Sequence, residues 1–125
     1  MARFAWANGG IVGCSYQKND KCSYSITNNI VAGVPFSGYV VYGHKCGNYN
    51  QTVFRNNIAH SIRGTGAEVF PDPSDVTQKT CMESSYYTAY KVQADAIVSL
   101  FQTTTIQYTN MLFIDNAYGA SPLVA

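Results

Sequence analysis

Seven carboxylates, two histidines and four cysteines carry most of the acid–base, metal-ligating and redox potential of this 125-residue chain. A polysaccharide-cleaving site would pair two carboxylates, or hold calcium on carboxylates beside a basic Arg or Lys. The carboxylates here are Asp20, Glu68, Asp72, Asp75, Glu83, Asp95 and Asp115, and no Asp-x-Asp motif joins any two of them. Asp72 and Asp75 share a proline-containing stretch, whose ordinary reading is a solvated turn. His44 and His60 are the only histidines, and their separation along the chain matches no zinc spacing. His44 reads as a loop residue ahead of Cys46, and His60 as a hydrogen-bonded corner residue beside Ala59 and Ser61. A nucleophile elbow and a phosphate-cradling glycine loop are both missing from the sequence. Gly9-Gly10 and Gly64-Thr65-Gly66 read as turns. The expectation is a chain with no catalytic residue, no cofactor and no metal.

Cys14, Cys22, Cys46 and Cys81 form an even set without CxxC spacing, which reads as disulfide chemistry rather than zinc binding. Four cysteines allow three connectivities. The favoured one closes a short polar excursion with Cys14–Cys22 and links neighbouring loops with Cys46–Cys81. Asn50-Gln51-Thr52 is a glycosylation sequon, so Asn50 is the candidate glycan site. Even cysteines, a sequon and sparse charge point to a secreted or extracellular protein. The segment from Met1 to Asn8 contains no apolar run of signal-peptide length, so the chain reads as a piece of a longer secreted protein. The competing reading is a cytosolic protein with four free thiols.

These residues need a scaffold, and composition narrows it. Eight Lys+Arg against seven Asp+Glu leave a formal charge of +1, which gives no electrostatic handle for nucleic acid or an anionic membrane. No apolar stretch is long enough to span a bilayer as a helix. Hydrophobic residues make up 46% of the chain, too many for an intrinsically disordered one. Val and Ile number 11 and 8 while Leu appears three times, a strand-forming inventory reinforced by ten Tyr and ten Thr. One all-β domain over residues 1–125 is expected.

A repeat then sets the architecture. Asn28-Asn29-Ile30-Val31, Asn56-Asn57-Ile58-Ala59 and Asp115-Asn116-Ala117-Tyr118 resemble one another. The step from Asn29 to Asn57 falls within the range of solenoid periods. Tyr86-Tyr87-Thr88-Ala89 falls where a degenerate copy belongs. Gly38 and Gly66 repeat the same step, with Ala94 and Ala96 about one step further on. Short β runs, turn-forming Asn and no helical spacer predict a right-handed parallel β-helix of four to five coils. Asn recurs because it tolerates a left-handed corner and can bond the Asn above and below. An antiparallel sandwich would show turn signals every 8–12 residues or so and Asn-Gly or Asp-Gly hairpins, and Asn8-Gly9 is the only dipeptide of those two kinds. Residues 13–25 and 71–83 are polar and turn-rich and read as projecting loops. About half of Trp6, Tyr16, Tyr24, Tyr39, Tyr42, Tyr49, Tyr86, Tyr87, Tyr90 and Tyr108 should stack inside the coil, the rest lying on an uncharged surface.

The segments from Ile26 to Cys46, with Asn28-Asn29-Ile30 and Gly43-His44-Lys45-Cys46, resemble the parallel β-helix region of the fibrocystin family. Phe54-Arg55-Asn56-Asn57-Ile58-Ala59-His60-Ser61 continues the likeness, as do Cys81, Ala89-Tyr90-Lys91 and Ile114-Asp115-Asn116. It covers roughly residues 26–125. The resemblance implies an extracellular, cell-surface or ciliary setting. That family's β-helix region is related to that of hyaluronan-degrading cell-surface proteins. The expected function is therefore a non-enzymatic structural module whose partners are further copies or adjoining β-helix chains stacked end to end, because neither end of the sequence carries a polar cap. The alternative is a carbohydrate-binding or polysaccharide-degrading β-helix with glycans as partners.

Overall fold

The computed structural model describes residues 9–12, 24–45, 52–70, 80–100 and 104–123. Fourteen strands lie there: β1 (Gly9–Val12), β2 (Tyr24–Thr27), β3 (Ile30–Ala32), β4 (Ser37–Tyr42), β5 (His44–Lys45), β6 (Thr52–Arg55), β7 (Ile58–Ile62), β8 (Ala67–Phe70), β9 (Thr80–Ser85), β10 (Thr88–Val92), β11 (Asp95–Leu100), β12 (Thr104–Thr109), β13 (Leu112–Ile114) and β14 (Tyr118–Leu123). They stack into three sheets, ordered β1-β4-β8-β11-β14, β12-β9-β6-β2 and β13-β10-β7-β3, which we call the first, second and third sheets. Along these paths every pairing is parallel. No helix is present among the described residues. This is the arrangement of a parallel β-solenoid, as the repeat predicts.

Two corners set the repeat. Asn28, Asn56, Tyr86 and Asn110 have φ of 60°, 55°, 54° and 52° and occupy the turn between the second and third sheets. Gly33, Ser61, Lys91 and Asp115, at φ of 72°, 54°, 54° and 53°, follow at the far side of the third sheet. The steps from Asn28 to Asn56 and from Asn56 to Tyr86 are nearly equal. That from Tyr86 to Asn110 is shorter, so the last level has lost part of its turn. This corrects the phase read from sequence. Asp115-Asn116 sits at the second corner, and the true counterpart of Asn28-Asn29 in the last level is Asn110-Met111. Both corners need left-handed backbone, which Asn and Asp tolerate, so residue type alone does not separate them.

Inside the first corner, Asn57 is fully buried and its side chain makes three hydrogen bonds. Its Oδ1 accepts the backbone N–H of Asn29 at 3.1 Å and the Asn29 side-chain amide at 3.2 Å, while its Nδ2 donates to the Ile26 carbonyl at 2.8 Å. This is the Asn-on-Asn bonding expected from the sequence. The ladder ends where Tyr87 takes the equivalent place. Asn116 repeats the device at the second corner, accepting the Val92 N–H at 3.0 Å and donating to the Ala89 carbonyl at 2.9 Å.

An aromatic stack fills the core. Tyr39, Phe54 and Tyr87 are buried, with ring centroids 5.2 Å (Tyr39–Phe54), 5.4 Å (Phe54–Tyr87) and 6.3 Å (Tyr39–Tyr87) apart. Burying one such ring stabilises by about 2–3 kcal/mol, and each well-oriented pair adds about 1 kcal/mol. Room for them comes from the glycine phase. A Cβ on Gly66 would collide with the Ala96 carbonyl and the Tyr87 hydroxyl, and one on Gly38 would meet the Gly66 carbonyl. Ala96 holds the same phase one level on, as the spacing predicts.

Two features depart from expectation. The loop assigned to 71–83 ends earlier, because Thr80–Glu83 belong to β9; likewise Tyr24 and Ser25 belong to β2. The remainder of both predicted loops lies outside the described residues. Second, β5 runs antiparallel to β9, with His44 opposite Cys81 and Lys45 opposite Thr80.

Candidate functional site

The described carboxylates are scattered over separate elements: Glu68 on β8, Glu83 on β9, Asp95 on β11 and Asp115 at the second corner. No group of three or more His, Cys, Asp or Glu is gathered among the described residues. Asp20, Asp72 and Asp75 lie outside them, as do Cys14, Cys22, Cys46 and the glycan candidate Asn50. Cys81 is described and is disulfide-bonded.

Among the described carboxylates, the perturbed one is Glu68. It projects from the outer face of the first sheet, level with Val40 of β4 and Val98 of β11. Burial raises its pKa above 4.5, and a side-chain hydrogen bond from Ser37 pulls the other way. Its Oε2 is buried without a hydrogen-bond partner. Around it, Val40, Tyr42 and Phe70 form a second apolar cluster outside the solenoid core.

The histidines do not converge. His44 is paired in β5 opposite Cys81. His60 points outward from β7, directly before the corner residue Ser61. Its ring stacks on Tyr90 at 4.6 Å and 3°, and its Nδ1 lies 3.2 Å from Ser61 Oγ. Tyr39 and Tyr87 are committed to the core. Tyr39 Oη donates to the Ile58 carbonyl at 2.8 Å with the Asn29 carbonyl 3.0 Å away, and Tyr87 Oη donates to the Ala96 carbonyl at 2.8 Å. Desolvation pushes the Tyr39 phenol up to about 12 and that of Tyr87 well above 10.0. Both remain protonated donors. Tyr42 is buried too, Tyr90 is half-buried, and Tyr86 and Tyr108 are exposed. Trp6, Tyr16 and Tyr49 lie outside the described residues.

What remains distinctive is the pair of ends. β1, β2 and β3 are outermost in their sheets at one end, and β12, β13 and β14 at the other. β1, β2 and β3 contain no charged residue, and residues 104–123 contain only Asp115. Edge strands of soluble proteins usually carry Lys, Pro or a covering element. Here Pro122 in β14 is the one residue of that kind in the six end strands. At the C-terminal end the interior is half open. Ile106, Met111 and Phe113 are only partly buried, and Tyr108, on the same ladder as buried Ser84 and Phe54, is 40% exposed. No helix among the described residues is long and apolar enough to cross a membrane. No family model, curated protein or solved structure matches this chain.

Proposed function

We propose that this chain is a non-enzymatic, extracellular assembly module: a right-handed parallel β-helix of four to five coils whose ends pair with β-structure of further copies. The observation that carries this reading is the uncharged, one-sided edge set β12 and β13, beside an interior that Tyr108 and Phe113 leave half open. An unpaired strand edge is a template for another strand, and an apolar interior left open at a stack's end gains by being covered. Pro122 withholds a donor from β14, so β12 and β13 are the strands offered. Contact between unlike ends propagates as a filament unless its rotation closes a ring. Secretion fits the bonded Cys81, since disulfides persist in oxidising compartments. The likeness to the fibrocystin β-helix supports a ciliary or cell-surface setting for such a module.

Light scattering on the eluted chain tests this. The native protein is expected to grow in mass with micromolar concentration. Tyr108→Lys sets an ammonium in the open end and should block end-to-end growth with an unchanged β-rich circular dichroism spectrum. If Tyr108→Lys does not fold, Gln107→Lys on the exposed side of β12 serves the same purpose. A native chain that stays monomeric throughout overturns the proposal.

A further inference from the structure

The two ends of the stack differ. At the end formed by β2 and β3 the interior is closed: Ile26 and Val31 are each 7% exposed, and Gly10 of β1 lies directly against Val31. At the other end the interior is open. Tyr108 stands on the ladder that Ile26 begins and Phe54 and Ser84 continue, yet it is 40% exposed. Gly119 extends the inward small-residue phase of Gly38, Gly66 and Ala96. Those three are buried, whereas Gly119 is exposed, and a Cβ on it would meet nothing nearer than Phe113 at 3.8 Å. Along this open end runs β12, six residues without a charge. Among the described residues, no strand lies on its outer side.

Resting on the reading that the ends pair, we propose that the open end docks on the open end of a second copy, and that the product is a closed two-fold dimer. A free strand edge takes up another strand, and the main-chain hydrogen bonds along it, not the area of an apolar face, supply the affinity. Contact between two open ends covers both unfinished interiors at once. Contact with the closed end would cover only one, and the apolar gain would be smaller. Like-end contact is isologous, so it leaves no open end for a third copy and growth stops.

The register follows from β12 itself. Copies that meet by the same end run their strands antiparallel, and residues directly opposite in such a pair project to the same side. Inner residues must therefore oppose inner ones, which puts the two-fold axis through a residue and not between two. An axis through Gln107, exposed on the outer side, sets Ile106 against the partner subunit's Tyr108 and closes the open interior with both. The same axis crosses the stack to the corner between the third and first sheets. There Asp115, the only charged residue of 104–123, comes level with the partner subunit's Asp115. That repulsion is exposed and screened by salt, so it weakens the dimer without preventing it.

Sedimentation equilibrium on the native chain decides first. Its mass should rise over the micromolar range and level off at twice that of the chain. Growth past the dimer leaves the end-pairing reading standing and overturns the like-end contact. A chain that stays monomeric throughout overturns both. Gln107→Cys then locates the axis. Under mild oxidation it should crosslink to its own copy, because the two side chains lie about 5 Å apart. Ser25→Cys, on the ladder that Gln107 would meet in an unlike-end contact, should not crosslink. Crosslinking that requires both cysteines in one chain overturns the proposal. Asp115→Asn should lower the dimer Kd roughly threefold at low salt; an unchanged Kd overturns the axis through Gln107.

Discussion

Tyr86 occupies a left-handed corner that its two predecessors fill with Asn28 and Asn56, at φ of 54° against 60° and 55°. An L-residue other than Gly, Asn or Asp gives up about 1–2 kcal/mol there. The Tyr86 side chain is exposed and recovers little by packing. Tyr86→Asn is therefore expected to stabilise the fold by about 1 kcal/mol in urea titration. Asn57→Ala should act oppositely. It leaves the Asn29 N–H and the Ile26 carbonyl without their partner, at about 1–3 kcal/mol for each buried group. Glu68 has a folded pKa raised above 4.5 by burial, so the folded state holds its proton more tightly than the unfolded one. Its contribution is fully present at pH below 4.5 and declines as pH rises through the folded value. Glu68→Gln should remove that decline, read as a flatter dependence of melting temperature on pH above 4.5, with higher stability at neutral pH. At this scale the Asn ladder is legible in the sequence, because a buried corner amide and a left-handed φ both select Asn. The phase of Asp115-Asn116 is not, because a second corner shortly after the first selects the same residue types.

At the scale of elements, the excursion after β4 shows where sequence reading runs out. Strand runs such as Tyr39-Val40-Val41-Tyr42 declare themselves by residue type. The short β5 does not, because its antiparallel pairing with β9 is long-range and leaves no local pattern. That pairing brings Lys45 level with Thr80, and Cys46 is the next residue in the chain. A Cys46–Cys81 bond would pin β5 onto β9 and, by chain entropy, stabilise by about 4 kcal/mol. Non-reducing peptide mapping should recover Cys46 joined to Cys81; recovery of Cys14 with Cys81 would refute it. The covered outer face of the first sheet is equally hidden from sequence. Val40, Tyr42 and Phe70 alternate with the core residues Tyr39, Val41 and Val69, so both faces of these strands are apolar, and composition alone does not tell buried from bare. The third sheet has the same ambiguity with the opposite outcome.

For the whole molecule, the repeat makes the architecture readable. Identical steps between Asn29 and Asn57 and between Gly38 and Gly66 demand equivalent positions stacked in parallel, and the sheets deliver that stacking. The unequal steps from Asn56 to Tyr86 and from Tyr86 to Asn110 blur the signal later in the chain. A solenoid accepts insertions and deletions at its corners while the ladders stay in register. Such a stack buries its middle and leaves its ends to be completed, which is why the proposed function rests on β12 and β13 and not on any cluster of titratable groups. Hydrogen exchange as a function of protein concentration tests that claim most directly. The inner strands β7 and β10 should be protected at every concentration. Amides of β12 and β13 should exchange quickly in dilute solution and gain protection as concentration rises through the micromolar range, a gain that Tyr108→Lys abolishes. Exchange in β12 and β13 that is independent of concentration, in a chain that remains monomeric, would contradict it.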